Sequence, residues 1–470
     1  MSIYETKLKY VSMPCGGGKT RLIISTITDN PHNNYIVVVP SVKLQKQYRN
    51  DIGHGLVMNH ETHDDLLEHI TSEILLKNHQ VLYITDKMFY RIKPQVLKSW
   101  YIFVDDCVEY FSYSTESINK ADGSLPAMLY ANLFEINGIS ENGNYVYAKL
   151  KQSASSDIIQ HHKKRYEHFQ YYHNIVINSS VFDNDDCKRI FIIGYYDLER
   201  YVSHGVNMVY MANDFENTLI YKKYCHLFEE YQHELVPNHT NNQRLTVKYF
   251  AKNNSLTGSR LKAEVEKSNS MMSIVGEYIN ANENGPVLWT CNEAYRQYWN
   301  VTGEYITPCQ RGMNHLQHHT VAVCMVSMKV DDAMAKHIEA ILGHTYGDIV
   351  HQNEYEAINQ FVYRTNLRNY QSSTAITLYV FDEDQAYSIK GAAEYEYIDV
   401  GVDVVLNRVG RPASQLPPKV RDAARKWVRA GERTLEQMVK YVSKMAVKNG
   451  LDEEQKKLLL DKLIDERKGA

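Results

Sequence analysis

Met13-Pro14-Cys15-Gly16-Gly17-Gly18-Lys19-Thr20 decides how this chain is read. The alternating run Leu8-Lys9-Tyr10-Val11-Ser12 before it reads as a strand, and Arg21-Leu22-Ile23-Ile24-Ser25-Thr26-Ile27 after it reads as a helix. Three consecutive glycines leave no Cβ to block the backbone. Successive N–H groups can therefore turn inward and hold phosphate oxygens at the positive end of the helix. Lys19 then reaches the outer phosphates, and the Thr20 hydroxyl is placed to hold Mg²⁺. A glycine-rich turn with a chance Lys-Thr is the bland alternative; the order strand, loop, helix argues against it.

A second stretch supplies the charge this site needs. Tyr101-Ile102-Phe103-Val104-Asp105-Asp106 is an apolar strand ending in two carboxylates. Such an ending puts Asp105 at the C-terminal edge of the sheet, beside the phosphate loop, where it can hold the Mg²⁺ shell. Asp106 is then placed to orient or deprotonate an attacking water. Far along the chain, Asn353 to Asn369 reads as a helix on which Gln360, Arg364 and Arg368 share one face. Two arginines at that spacing repel each other, so an anionic partner is expected opposite them.

The chain has 470 residues, which implies two or three domains. Its net charge of −4 excludes a global basic footprint, so any nucleic-acid surface is local. Seven scattered cysteines without a Cys-x-x-Cys pair argue against a disulfide framework and a zinc ribbon, and for a reducing, cytoplasmic setting. The start of the chain has no apolar signal region, and no run is long enough to span a bilayer. His60, His63 and His69 read as solvated loop residues. For His315, His318 and His319, no sulfur or carboxylate lies at ligand spacing in the sequence, so a metal site is not expected there.

Apolar runs at Tyr35–Val39, Gln80–Ile84, Leu245–Phe250, Val287–Asn292, Thr320–Val326 and Thr377–Phe381 read as strands, the last closing a second sheet. Ser41 is a candidate N-cap, and Asp64 to Lys77 and Leu261 to Ile279 read as helices. Tyr110 to Gln170 reads as irregular and helical, with turns at Asn137-Gly138 and Asn142-Gly143. In it, His161 to Tyr166 is a basic and aromatic run that reads as a solvated helix face or a nucleic-acid contact. Pro237 to Asn242 reads as a linker. Helices are expected at Lys419–Arg429, Thr434–Lys448 and Asp452–Arg467, with Thr434 and Gln437 as a capping box. From Arg411 to Gly450, ten Lys and Arg face three Asp and Glu, a surplus that can neutralise phosphates.

Several stretches resemble the motifs of superfamily 2 helicases. Met13 to Thr20 meets x-Pro-x-Gly-x-Gly-Lys-Thr in full, with Met13 where the general phosphate-loop pattern has Gly, and resembles motif I. Asp105-Asp106 is similar to motif II, which has Glu at the second position. Pro40, Ser41, Leu44 and Gln47 look like motif Ia, and Thr85 like motif Ib. Ile175–Ser180 and Val209–Asn213 both resemble motif III, and Thr290 sits where motif IV is expected. Gln310-Arg311-Gly312-Met313-Asn314 resembles motif V, with Asn314 in the place usually held by Asp. Gln360, Arg364 and Arg368 look like motif VI, with Tyr363 in place of Gly and the second arginine one residue late.

The resemblance implies an α/β fold of two tandem RecA-like P-loop domains with mainly parallel sheets, residues 1–236 and 244–400, and a helical basic C-terminal extension, 411–470. It implies ATP and Mg²⁺ as cofactors. ATP would be held by Pro14, Cys15, Gly16, Gly17, Gly18, Lys19, Thr20 and Arg21, with Gly312 and Asn314 from the second domain. Thr20 and Asp105 would hold the metal. Lys19, Asp105, Asp106, Gln360, Arg364 and Arg368 would be catalytic, either arginine serving as the finger on the γ-phosphate. Pro40, Ser41, Gln47, Thr85 and Thr290 would touch nucleic acid. The implied activity is that of a helicase or translocase, viral in style, serving replication, recombination or repair, with partners reached through the C-terminal helices. DNA is favoured over RNA, because no segment ahead of the first strand leaves room for the adenine-reading motif of DEAD-box RNA helicases. Two rivals remain. A packaging motor would need a nuclease domain rich in carboxylates after the ATPase, and the tail is too short for one. An ATP-gated clamp or recruitment protein with slow hydrolysis is kept open by the short carboxylate of Asp106.

Overall fold

The computed structural model describes residues 7–59, 65–117, 132–151, 153–161, 163–179, 189–234, 242–308 and 315–403, and parts of 420–464. By internal contacts the chain divides into two units, Met1–Asp403 and Val404–Ala470. Strands run in the order β1 (Leu8–Ser12), β2 (Tyr35–Val39), β3 (Leu56–Val57), β4 (Val81–Thr85) and β5 (Tyr101–Asp105). Five follow as β6 (Phe111–Ser117), β7 (Phe134–Ile139), β8 (Tyr145–Leu150), β9 (Asn174–Asn178) and β10 (Arg189–Tyr195). Then come β11 (Asn207–Ala212), β12 (Phe228–Glu230), β13 (Leu245–Ala251), β14 (Val287–Cys291), β15 (Glu304–Tyr305), β16 (Val321–Met325), β17 (Ile376–Asp382) and β18 (Glu394–Tyr397).

The first sheet has the order β12-β1-β11-β5-β2-β4-β3, and all its pairings are parallel. β2 is buried at every position, as a strand covered on both faces must be. The second sheet, β15-β14-β16-β17-β13-β18, is also parallel throughout. The fold class is therefore α/β with two RecA-like sheets in tandem. β17 lies at the centre of the second sheet rather than closing it; the edge belongs to β18.

Three expectations fail here for local reasons. Between β5 and β11 the chain forms a five-stranded antiparallel sheet, β6-β10-β9-β8-β7, instead of an irregular helical segment. Its central strands β9 and β10 are largely buried, whereas in β8 Val146 and Ala148 alternate with more exposed neighbours. Asn137-Gly138 marks a bulge within β7 rather than a turn, whereas Gly143 does turn, at φ 71°. Leu261 to Ile279 is two helices, Gly258–Glu264 and Met271–Asn282. The Glu264 carboxylate accepts the Met271 N–H at 2.8 Å and Ser270 caps the second helix, so the chain stops and restarts. The segment from Asn353 to Asn369 is likewise not one helix. Its last α-helical stretch is Glu356–Val362, followed by a 3₁₀ turn, Asn366–Arg368. Thr365 donates its hydroxyl to Val362 O at 2.7 Å and accepts the Leu367 N–H at 3.3 Å, which ends the helix.

The helix Asp332–Leu342, from the second half of the sequence, places Met334, Ile338 and Leu342 in the core shared with the first sheet. Tyr145 of β8 meets His337 at 2.8 Å, and Phe191 of β10 packs on the same ring. Many of the 36 tyrosines are core residues with a bonded hydroxyl, such as Tyr90 to Tyr210 at 2.9 Å. Among the described residues, no helix is long and apolar enough to cross a membrane.

In the second unit, the helix Leu435–Asn449 buries Met438, Val442 and Ala446 with Val420, Leu451 and Leu459. Thr434 and Gln437 form the expected reciprocal cap. Most of the expected linker, and most of the helices flanking Leu435–Asn449, lie outside the described residues.

Candidate active site

Register sets the first face of the site. Ser12 pairs with Ala212, and Met211 with Asp105, so β1, β11 and β5 end at one sheet edge. The glycine-rich loop leaves β1 there and enters the helix Lys19–Asp29, whose N-terminus carries neither a side-chain cap nor an acidic residue in its first turn. Gly18 sits at φ 114°. A Cβ on Gly17 would lie 2.6 Å from the Met13 side chain and 2.9 Å from Pro14 O, so the turn closes only with glycine.

Lys19 is buried, donates to Met13 O at 3.2 Å and lies 3.6 Å from Asp106. Burial pulls its pKa down, but Asp106, Cys15, Asp105 and Glu356 outweigh burial and raise it, which keeps the ammonium charged. Burial pushes the Cys15 thiol up to about 12, against the pull of Lys19, so Cys15 is no nucleophile at neutral pH. Asp105 accepts the Tyr48 hydroxyl at 2.6 Å, and that phenol also engages Thr20. One tyrosine thus draws together the two side chains read as metal ligands. A buried carboxylate and a threonine hydroxyl converging from two elements suit Mg²⁺, which takes oxygen donors. Asp106 has φ 54°, a left-handed conformation that Asp tolerates through local hydrogen bonding.

The second face comes from the other parallel sheet. Gln360, Tyr363, Arg364 and Arg368 line one cleft of about 440 Å³ with Cys15, Gly16, Gly18, Lys19, Thr20, Arg21, Asp105 and Asp106. Although the helix stops at Val362, the turn that replaces it keeps Gln360, Arg364 and Arg368 on the cleft. Tyr370 crosses to the loop and donates to Cys15 O at 2.7 Å.

Sequence reasoning missed Glu356. It accepts Asn213 Nδ2 at 2.8 Å and Gln360 Nε2 at 3.0 Å, and so bridges the end of β11 to the arginine segment. Burial, with Asp106 nearby, pushes its pKa up to about 7 despite those two hydrogen bonds and Lys19. Asp106, Asn213, Glu356 and Gln360 also line a cavity of about 20 Å³, room for one water. The only sequence signal was position, four residues before Gln360. Of the two motif III alternatives, Val209–Asn213 is the one at this edge; Ile175–Asn178 belongs to the antiparallel sheet.

Other expected site residues fall elsewhere. Pro40, Ser41, Gln47 and Thr85 lie partly exposed around the ends of β2 and β4, and the Ser41 hydroxyl is engaged as an N-cap, accepting Leu44 N–H at 3.4 Å. Thr290 is 1% exposed within the all-buried strand β14 and lines a small cavity with Gln360 and Arg364. Gly312 and Asn314 lie outside the described residues. In the basic run, Arg165 is ion-paired with Glu116 and Lys163 lies 3.8 Å from Glu167, so part of its charge is internally matched.

No family profile matches the chain, and no curated protein sequence does. Among solved structures, S. tokodaii Xpd4 aligns over 84% of this chain and 96% of its own, at 9% identity and a TM-score of 0.42. An apo XPD structure aligns over 83% and 97%, at 11% identity and a TM-score of 0.46. The Escherichia coli DEAH/RHA helicase HrpB aligns over 91% of this chain and 45% of its own, at 8% identity and a TM-score of 0.32. By its own strand order the chain is an α/β fold of two parallel sheets in tandem, with a glycine-rich loop on one facing an arginine segment on the other.

Proposed function

We propose that the cleft binds and hydrolyses ATP and that the chain is an ATP-driven helicase or translocase acting on nucleic acid, with DNA favoured. The observation that carries this reading is the convergence of Lys19, Asp105 and Asp106 with Gln360, Arg364 and Arg368 on one cleft, from opposite ends of the first unit. Backbone N–H groups of Gly16 to Thr20 hold the phosphates at the helix N-terminus. Lys19 neutralises the outer phosphate oxygens. Thr20 and Asp105 would hold Mg²⁺, which when bound supplies charge neutralisation across the β- and γ-phosphates.

Asp106 and Glu356 flank the water-sized cavity. Asp106 orients a water there, and Glu356, with its pKa near the working pH, takes up the proton that the water loses. Asn213 and Gln360 fix the Glu356 carboxylate from both sides. Arg368 is assigned as the finger, since it lines the cleft and Tyr370, two residues on, donates to Cys15 O of the phosphate loop at 2.7 Å. Loss of the γ-phosphate removes the anion shared by the two faces, and the cleft then opens and closes with turnover.

Steady-state ATP turnover with and without single-stranded DNA, duplex DNA and RNA tests this. Stimulation by single-stranded DNA is expected; no stimulation by any of them contradicts the reading. A second reading, an ATP-gated clamp with slow hydrolysis, is favoured by the seat of the helix Asp332–Leu342 on the antiparallel sheet, where His337 meets Tyr145 and Phe191, a contact that resists large domain excursions. Strand displacement on tailed duplexes separates the two, since a clamp would turn over ATP without unwinding.

A further inference from the structure

The sequence offered His315, His318 and His319 no carboxylate, but the fold supplies one. β15 runs along the edge of the second sheet beside β14 and carries Glu304 to the loop that precedes β16. Donor atoms of Glu304, His318 and His319 all lie within 4.8 Å of one another, and His319 Nε2 is 3.2 Å from Glu304 Oε2. His319 is 3% exposed.

The hydrogen bonds of the two rings decide what faces the carboxylate. His319 Nδ1 lies 3.0 Å from Leu316 O and His318 Nδ1 lies 3.2 Å from His315 O. A carbonyl oxygen only accepts, so both Nδ1 atoms carry hydrogen and donate. In the neutral rings, each Nε2 then presents a lone pair. A nitrogen lone pair aimed at a carboxylate oxygen at that distance calls for a positive charge between them, a proton or a metal ion. Tetrahedral Zn²⁺ with bonds of about 2.0–2.1 Å holds its donors about 3.3 Å apart, close to the spacing of His319 Nε2 and Glu304 Oε2. Imidazoles whose far N–H is fixed by a backbone carbonyl are the arrangement that metal sites use to set tautomer and ring direction.

We propose that Glu304, His318 and His319 form a Zn²⁺ site, with two Nε2 atoms and one carboxylate oxygen as protein ligands and water completing the shell. The site is independent of the nucleotide reading. It is tied to the arginine segment, however: Asn366 donates its N–H to His319 O at 2.9 Å and its side-chain amide to Gln317 O at 3.0 Å, and Arg368 lies two residues beyond. Zinc here braces β15 and the turn that carries Arg368.

Calorimetric titration of the full chain with Zn²⁺, after dialysis against a chelator and without ATP, tests the site. One tight equivalent is expected for the wild type, weakened at least about tenfold in both Glu304→Gln and His318→Asn. Both changes are at exposed positions, and equal melting temperatures in chelator show that each variant is folded. Bound Co²⁺ gives a visible d–d spectrum that both variants lose. If the wild type binds no Zn²⁺, or if neither variant weakens it, the proposal is overturned and Glu304–His319 is a plain ion pair.

Discussion

On one face of the cleft, Gly16 to Thr20 and Asp105-Asp106 occupy two short runs at the ends of β1 and β5. On the other, Glu356, Gln360, Arg364 and Arg368 are spread over a helix, its unwound end and a 3₁₀ turn. The first face is held by its own backbone: Gly17 N–H returns to Pro14 O at 2.9 Å, and Leu22 N–H to Gly18 O at 2.9 Å. The second is held largely from outside, by Asn213 on Glu356, by the Leu316–His319 loop on Asn366, and by Arg244 on the carbonyls of Asn366, Leu367 and Asn369. The contrast teaches that the loop face is a local motif and the arginine face a tertiary assembly. Perturbations remote from the cleft should therefore disable the second face and spare the first.

The largest expected effect comes from Arg368→Ala. As a finger supplied across the cleft, its loss should lower kcat by ~10³ to 10⁵ and weaken ATP binding as well. Retention of wild-type turnover would make Arg368 an ordinary surface arginine. Next comes Glu356→Gln, for which a loss of ~10² in kcat is expected, together with loss of a rise in rate through about pH 7. A purely structural Glu356 would leave the pH profile of the remaining activity unchanged.

The same substitution separates the two faces in stability. Because the folded pKa of Glu356 lies above its unfolded value, the folded chain holds a proton that the unfolded chain has released. Stability contributed by this site is greatest at low pH and falls as pH rises from the ordinary Glu range towards about 7, then levels off. Denaturant melts of wild type and Glu356→Gln across that range should therefore differ in slope, the variant being flatter. Parallel curves would refute the buried, proton-holding carboxyl.

The smallest effect is expected from Asp348→Asn, which breaks the pair with Lys222 across the two halves of the first unit. Burial works against the Asp348 charge, but Lys222 and Thr345 hold its pKa down to about 2. Both side chains are partly exposed and screened, so only about 0.5–1 kcal/mol of stability should be lost near neutral pH. That contribution is present above the ordinary Asp range and disappears as pH falls towards 2. A larger loss would mean that the domain contact, not the cleft, organises the molecule.

How much was legible follows the same division. Met13–Thr20 and Tyr101–Asp106 could be read because strand, loop and helix are contiguous in the first and the carboxylates end the strand in the second, so each run is a pattern complete in itself. Gln360, Arg364 and Arg368 were identified by spacing, but their conformation was misread, since Thr365 ends the helix through bonds that periodicity does not encode. Glu356 was illegible because its partner Asn213 sits on the other sheet. Glu304 was illegible beside His318 and His319 because only pairing of β15 with β14 brings it there. The antiparallel insertion was misread because its strands alternate weakly and are interrupted by the charged helix Lys163–Phe169, whose pattern dominates the segment.

The central claim is that one triphosphate is held from both faces at once. A double-mutant cycle of Lys19→Met and Arg368→Ala, read as affinity for a slowly hydrolysed ATP analogue, tests it most directly. Two side chains acting on the same phosphate should couple by about 1 kcal/mol or more. Additive losses, with coupling below about 0.5 kcal/mol, would mean that the lysine and the arginine never share a ligand.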